Sequence, residues 1–178
     1  SGLYQNTHDQ LRRFDPLTNS FDLIGAPTGD KWNAMGYSRP LSSFWGLSIS
    51  GGIHPQSTLV QIGLDGTYTA HAKPDGLPQN GYYIADVDPA NGTDLWVSGG
   101  MIKNGQMWII DLETNTAEEV NFDKAFGTGQ ASGADMAFLD GDLYLVGKSR
   151  NMFVFDPDTR TYSEKFVRDI PTGFFGAV

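Results

Sequence analysis

Two aspartates, Asp86 and Asp135, are the residues whose type and spacing come closest to a catalytic pair. They lie in related segments, 82–87 and 133–138, and are two positions apart when those segments are aligned. Side chains alternate across a strand, so this offset puts both carboxyl groups on one face. Glycoside hydrolysis needs such a pair. An aspartate of this kind more often accepts backbone N–H hydrogen bonds, so we predict no catalytic residue and keep the enzyme as an alternative.

Metal chemistry has little support in the sequence. His8, His54 and His71 are far apart and lack the spacing of a histidine metal site. Residues 86–94, DVDPANGTD, resemble a calcium-binding loop but lack its final glutamate and fall where a turn between strands is expected. We predict a turn and no cofactor, with Ca²⁺ binding by this loop as the alternative.

A second group of residues has the composition of a sugar-binding surface. Aromatic rings stack on the C–H faces of a sugar, while amide, carboxylate and cationic groups hydrogen-bond its hydroxyls. Tyr82 and Tyr83 are adjacent, so in a strand only one of them is expected to be exposed. The alternative is that the rings pack between sheets as core. The predicted ligand-binding residues are Trp32, Asn33, Tyr82, Tyr83, Asp86, Asp135, Lys103, Arg150 and Phe174.

These residues are carried by a unit that occurs four times. An apolar strand, an Asp-containing turn and a second strand recur at 11–24, 59–72, 107–120 and 152–166, which makes Phe14, Ile62, Ile110 and Phe155 equivalent. One further strand is expected before each apolar strand, and a second before that in the last three repeats, at 32–37, 82–87 and 133–138. Four strands in about 45 residues have the size of a propeller blade. We predict one all-β domain, 1–178, a four-bladed β-propeller with blades at 1–31 plus 172–178, 32–72, 82–122 and 133–167.

The chain ends bear on whether the ring closes. The sequence starts at the second strand of its first repeat and stops at GFFGAV, residues 173–178, which has the pattern of an unpaired first strand. Pairing of this strand with the N-terminal blade would leave no sheet edge open. Closure is therefore the prediction, and a fragment of a larger propeller is the alternative.

The loops indicate which face binds. Turns between the first and second strands and between the third and fourth are mostly short. The remaining loops are long and varied: 27–31, 51–57, 73–81, 99–106, 121–132, 147–151 and 167–172. Long loops on a rigid scaffold usually carry binding sites, so we predict the site on this long-loop face.

Composition removes several classes of function. Twelve basic residues stand against 21 acidic ones, a net charge of −9, so nucleic acid would be repelled. No apolar run approaches the ~20 residues that cross a bilayer, so no membrane span is predicted. Cysteine is absent, which excludes disulfides, thiolate metal sites and a cysteine nucleophile.

Two patterns carry a family resemblance. LRRFDPLT at 11–18 has a relative, MFVFDPDT, at 152–159, and GLPQNGYYIADVDP spans 76–89. With these segments the chain resembles a family of uncharacterised propeller-like repeat domains in secreted and surface proteins of bacteria and fungi. The resemblance implies an extracellular setting and binding to a glycan or surface protein, and it transfers no catalytic residue.

We therefore predict a secreted or surface binding module, carbohydrate-binding and lectin-like, that uses the long-loop face. Two alternatives stay open. The same face could meet a partner protein, or the chain could be a carbohydrate-active enzyme centred on Asp86 and Asp135.

Overall fold

The computed structural model describes residues 2–7, 9–99, 107–121, 133–147 and 151–166, and these form four antiparallel sheets. The first sheet holds β1 (Tyr4–Asn6), β2 (Leu11–Asp15) and β3 (Ser20–Ile24). The second holds β4 (Trp32–Ser38), β5 (Ser43–Ser48), β6 (Leu59–Gly63) and β7 (Tyr68–Ala70). The third holds β8 (Ile84–Val87), β9 (Asp94–Ser98), β10 (Met107–Asp111) and β11 (Thr116–Val120). The fourth holds β12 (Gly133–Leu139), β13 (Asp142–Gly147), β14 (Asn151–Asp156) and β15 (Thr161–Phe166).

The sheets are the blades of a four-bladed β-propeller, as predicted. Each is a meander in which neighbours in sequence are neighbours in the sheet. The innermost strands lie side by side, with β8 in contact with β4 on one side and with β12 on the other. The predicted pairing of residues 173–178 with the first blade lies outside the described residues.

The strand registers confirm the repeat. Phe44, Leu95 and Leu143 lie opposite Ile62, Ile110 and Phe155 in the second, third and fourth blades. In the first blade the N–H of Phe14 donates to the carbonyl oxygen of Leu3 at 2.8 Å, which is the corresponding pair. Residues that the sequence spacing made equivalent therefore occupy equivalent positions in the four blades.

The core lies between blades. Strand β5 is buried along its whole length because it is covered on both faces. Phe44 points toward the first blade and packs with Leu11, whereas Trp45 points the other way and packs with Leu95 and Val97 of the third blade. A third cluster joins the third and fourth blades, with members such as Trp96, Met107, Leu145 and Phe155. Alternation along a strand thus supplies two different interfaces.

An aspartate closes each turn between the third and fourth strands of a blade. Asp15, Asp65, Asp111 and Asp156 each accept hydrogen bonds from backbone N–H groups two or three residues ahead. At Asp15, Asp65 and Asp156 these bonds lower the pKa of the carboxyl group, and at Asp111 they outweigh the opposing effect of burial. Each turn then ends in a left-handed residue: Asn19, Gly66, Asn115 or Arg160.

Arg160 is the residue least suited to this conformation. Its φ is 54°, a value that asparagine and glycine adopt at lower cost than arginine. Its ion pair with Glu118, 3.0 Å long, is exposed and therefore contributes little. We expect Arg160→Asn to raise the free energy of unfolding by about 0.5 kcal/mol. Urea denaturation measures the change, and Asn19→Ala is the matched control, expected to lower it. Equal effects of the two variants would contradict the explanation.

A buried carboxylate ties the second blade to the loop before it. Asp30 is fully buried and accepts hydrogen bonds at 2.6 Å from both the Ser48 and the Tyr68 hydroxyls. The N–H of His54 donates to its other oxygen at 3.3 Å, and the His54 ring stacks on Tyr68. Burial alone would raise the pKa of Asp30, but these hydrogen bonds outweigh it and hold the pKa below its ordinary value. Asp30 therefore fixes two loops of the long-loop face.

The described part of the chain contains no helix with the length and apolar character that a bilayer crossing requires.

Candidate binding site

Two of the predicted ligand-stacking rings are core residues. Trp32 is 1% exposed and packs with Phe44, Val60 and Ile62 between the first two blades. Tyr82 is fully buried and lies edge-on to Trp108 with its centroid 5.6 Å away. Burial also raises the pKa of Tyr82 to about 12. The prediction that these rings face a ligand is corrected, because neighbouring blades cover them.

The remaining predicted residues divide into two groups. Tyr83 is 43% exposed beside the buried Tyr82, which confirms that only one of the adjacent pair reaches the surface. Asn33 accepts a hydrogen bond from the N–H of Ala34 through its side-chain oxygen at 2.9 Å. Ligand binding by both stays a prediction. Three further predicted residues, Lys103, Arg150 and Phe174, lie outside the described residues.

Asp86 connects two blades. One of its oxygens accepts from the N–H of Val87 at 2.9 Å, and the other accepts from the N–H of Phe138 in β12 at 2.8 Å. Burial raises the pKa of Asp86, and the negative charge of Asp135 raises it further. Asp135 itself accepts from the N–H of Met136 at 2.9 Å. This arrangement is that of a structural link between inner strands.

The segment with the resemblance to a calcium loop forms the turn between β8 and β9. Asp88 accepts from the N–H of Ala90, while Asn91 accepts from the N–H groups of Thr93 and Asp94. The predicted turn is confirmed, with these side-chain oxygens directed to its own backbone. The described ranges hold no group of three or more acidic or histidine side chains placed to share a metal ion.

An open groove lies on the opposite face, between the first and second blades. It has a volume of about 760 Å³, within the range of small-molecule sites. One wall is formed by the start of β1 and by β2, and the other by the ends of β4, β5 and β6. We call it the Arg13–Arg39 groove. Its lining residues are Gly2, Leu3, Tyr4, Arg13, Tyr37, Arg39, Phe44 and Leu64.

The floor of the groove is aromatic. Phe44 is 6% exposed and lies between two tyrosine rings, with both centroids 4.9 Å from its own. Register places them: Tyr37 is the cross-strand partner of Phe44, and Tyr4 is the partner of Arg13. Tyr37 of this floor is 39% exposed, and the adjacent Leu3 and Leu64 are 38% and 44% exposed. Partly exposed apolar side chains gathered round one concavity make the groove a candidate binding surface.

Two guanidinium groups flank this floor, one from each wall. Arg13 projects from β2 and Arg39 from the turn after β4. Asp22 is the cross-strand partner of Arg13, yet in the described ranges no carboxylate oxygen lies within 4.0 Å of either arginine. The groove therefore offers aromatic faces, two tyrosine hydroxyls and two cations that hold no ion pair within the described ranges. Such a set can stack on a ring and donate hydrogen bonds to oxygen.

The corresponding position between the next two blades is closed. The Ser38 hydroxyl donates to the carbonyl oxygen of Gly92 at 2.6 Å. Gly92 has a φ of +76°, and a Cβ there would lie 2.6 Å from Cδ of Pro40. The second and third blades thus meet directly on this face, where the first and second leave a cavity.

Sequence reasoning missed the groove, although the repeat carried a signal. Position 13 is equivalent to Gln61, Ile109 and Val154, so the arginine is particular to the first blade. Position 39 is likewise equivalent to Pro89 and Asp140. The other three blades form the same strand without an arginine at the position of Arg13, so the strand does not require one. A charged residue that departs from the repeat is therefore a candidate for function.

Several solved structures have the same fold. An auxiliary nutrient binding protein from Bacteroides thetaiotaomicron has a TM-score of 0.61, at 14% identity over 92% of this chain and 38% of its own. A chain of a nidogen/laminin complex has a TM-score of 0.60, at 11% identity over 92% of this chain and 60% of its own. YCF48 bound to D1 peptide has a TM-score of 0.59, at 14% identity over 98% and 54%.

The chain thus spans less than two thirds of these structures, and at such identities the likeness shows the fold alone. A search of curated proteins finds no match. A family model described as a repeat of unknown function (DUF6923) matches residues 3–178.

Proposed function

This chain belongs to the DUF6923 repeat family, for which no function is given, and on that premise we propose that it is a carbohydrate-binding module whose site is the Arg13–Arg39 groove. One observation carries the proposal: an aromatic floor of Tyr4, Phe44 and Tyr37 is flanked by the guanidinium groups of Arg13 and Arg39. Sugars bind through this combination of stacking and donation.

The neighbours are compatible with a binding role. One is described as a nutrient binding protein and another as bound to a peptide, so the fold supports either kind of ligand. The groove favours a small-molecule ligand over a peptide. Its volume of about 760 Å³ suits a short oligosaccharide more than a protein surface. We propose an extracellular setting as well, supported by the resemblance to repeats of secreted and surface proteins.

Two tyrosines of similar exposure on opposite faces provide the test. Tyr37 of the groove is 39% exposed, and Tyr83 of the long-loop face is 43% exposed. We expect Tyr37→Ala to weaken binding of a glycan-array hit about tenfold, because a stacked ring is worth about 1–1.5 kcal/mol. Tyr83→Ala should leave the affinity unchanged. Isothermal titration measures both, and the melting temperatures report whether each variant stays folded.

The reverse result has a clear meaning. Loss of binding in Tyr83→Ala with full binding in Tyr37→Ala would move the site to the long-loop face. A chain that binds no glycan but retains a partner protein would overturn the carbohydrate assignment.

A further inference from the structure

We propose that the Arg13–Arg39 groove selects anionic sugars, with the carboxylate of a uronic acid held by the two arginines. This inference rests on the proposed function and adds the class of ligand. It starts from the position of the charges. The two guanidinium groups belong to different blades and border the same aromatic floor. A ring stacked on that floor would have its substituents within reach of both walls.

The charge of the whole chain makes this pairing unusual. The chain holds twelve basic residues against 21 acidic ones, and none of the eight lining residues is acidic. Two arginines at one concavity are a local excess of positive charge, although Asp22 lies across the strand from Arg13, and the pKa of Asp15, lowered chiefly by hydrogen bonds from Leu17 and Thr18, is lowered further by the charge of Arg13. In the described ranges the ion pair found is between Arg160 and Glu118, in another part of the molecule.

The kind of cation also matters. A guanidinium group presents paired N–H donors whose spacing matches the two oxygens of a carboxylate, whereas a lysine acts as a point charge. The residue-by-residue comparison of repeats supports a role in binding, because Gln61, Ile109 and Val154 fill the position of Arg13 in the other blades without disturbing the strand. The blade therefore does not need an arginine at this position. Binding of a ligand through its carboxylate would need one.

The aromatic floor separates a sugar acid from a free anion. Inorganic phosphate or sulfate would use the arginines alone and leave Tyr4, Tyr37 and Phe44 unused. A uronic acid presents both a carboxylate and a C–H face, so it engages the arginines and the rings together. Substitution of an arginine should accordingly weaken recognition of the carboxylate, and substitution of an aromatic residue should weaken recognition of the sugar ring.

Oligogalacturonate and its fully methyl-esterified form provide matched probes, since they have the same rings and differ in charge. Isothermal titration at 50 mM salt should show binding of the acid, and at least tenfold weaker binding of the ester. Arg39→Gln and Arg13→Gln should each weaken the acid about tenfold and change the ester little. Arg160→Gln removes the same charge from the fourth blade and serves as the control. Raising the salt to 500 mM should weaken the acid in the wild type, because exposed charges are screened.

The outcomes separate the two proposals. Equal affinity for acid and ester, lowered by Tyr37→Ala, would overturn anion selection and leave carbohydrate binding standing. Binding of inorganic phosphate as tight as that of the oligomer would also overturn selection of a sugar acid. Failure of both oligomers, together with a glycan array without signal, would overturn the proposed function itself. A response of Arg160→Gln equal to that of Arg39→Gln would show that net charge, not the groove, sets the affinity.

Discussion

Replacing Asp30 by alanine is expected to lower the free energy of unfolding by about 3–5 kcal/mol, because one buried and two half-buried donors lose their acceptor together. The Ser48 and Tyr68 hydroxyls and the N–H of His54 all donate to this carboxylate. Asp30 and Ser48 are completely buried, so the Ser48 hydroxyl in particular would be left without solvent. Chemical denaturation of wild type and variant measures the difference.

Tyr68→Phe is the matched control for this variant. It removes one hydrogen bond and keeps the ring that stacks on His54, so a loss of about 1 kcal/mol is expected. A loss in Asp30→Ala no greater than that in Tyr68→Phe would contradict the description of Asp30 as a shared acceptor.

The contribution of Asp30 should also depend on pH. Its folded-state pKa lies below the ordinary value of 3.8, so the unfolded chain takes up a proton first as the pH falls. The stabilisation is present above the unfolded pKa and is lost as the pH falls through the folded pKa. The difference in stability between wild type and Asp30→Ala should therefore be full at neutral pH and shrink in acid. A difference that grows toward acid would contradict the direction of the shift.

Trp32→Ala is expected to destabilise the fold by a similar amount, roughly 3–5 kcal/mol. The ring fills the space between the first two blades against Leu11, Phe44 and Val60, and its removal would leave a cavity that a β-sheet cannot collapse to fill. Thermal and urea unfolding measure the loss. Trp32→Phe keeps most of the side-chain volume and should therefore retain more than half of the stabilisation that Trp32 provides.

The proposed sugar binding gives this variant a second readout. Trp32 begins β4 and the groove lies at the other end of that strand, so a smaller effect on affinity than on stability is expected. A variant that keeps its melting temperature and loses its ligand would restore the original prediction of Trp32 as an exposed stacking ring.

The sequence was sufficient to predict the architecture, because the repeated pattern consists of residues that each blade needs in order to fold. Ile62, Ile110 and Phe155 recur since each packs between sheets, and Asp15 and Asp156 recur since each closes a turn. Phe14, at the same position of the first blade, is half-buried and contacts the ring of Phe21 in its own sheet. These requirements are local, and spacing along the chain reveals them. Because these requirements are local, the strand registers agree with the repeat that the spacing predicted.

The site was not predictable in the same way, because exposure depends on the neighbouring blade. Trp32 and Tyr37 belong to one strand, yet they are 1% and 39% exposed. The difference arises where β4 meets the first blade, a contact that no spacing in the sequence encodes. Asp30 is a similar case: a charged loop residue looks solvent-exposed until the two hydroxyls that bury it are in place.

The closed seam at Gly92 leaves the Arg13–Arg39 groove without a counterpart between the second and third blades. Only a residue without a side chain permits Pro40 to rest there, and the Ser38 hydrogen bond then seals the gap. A substitution such as Gly92→Asn would wedge the second and third blades apart and open a further cleft beside the first. The absence of one Cβ atom therefore decides whether these two blades meet directly or leave a cleft between them.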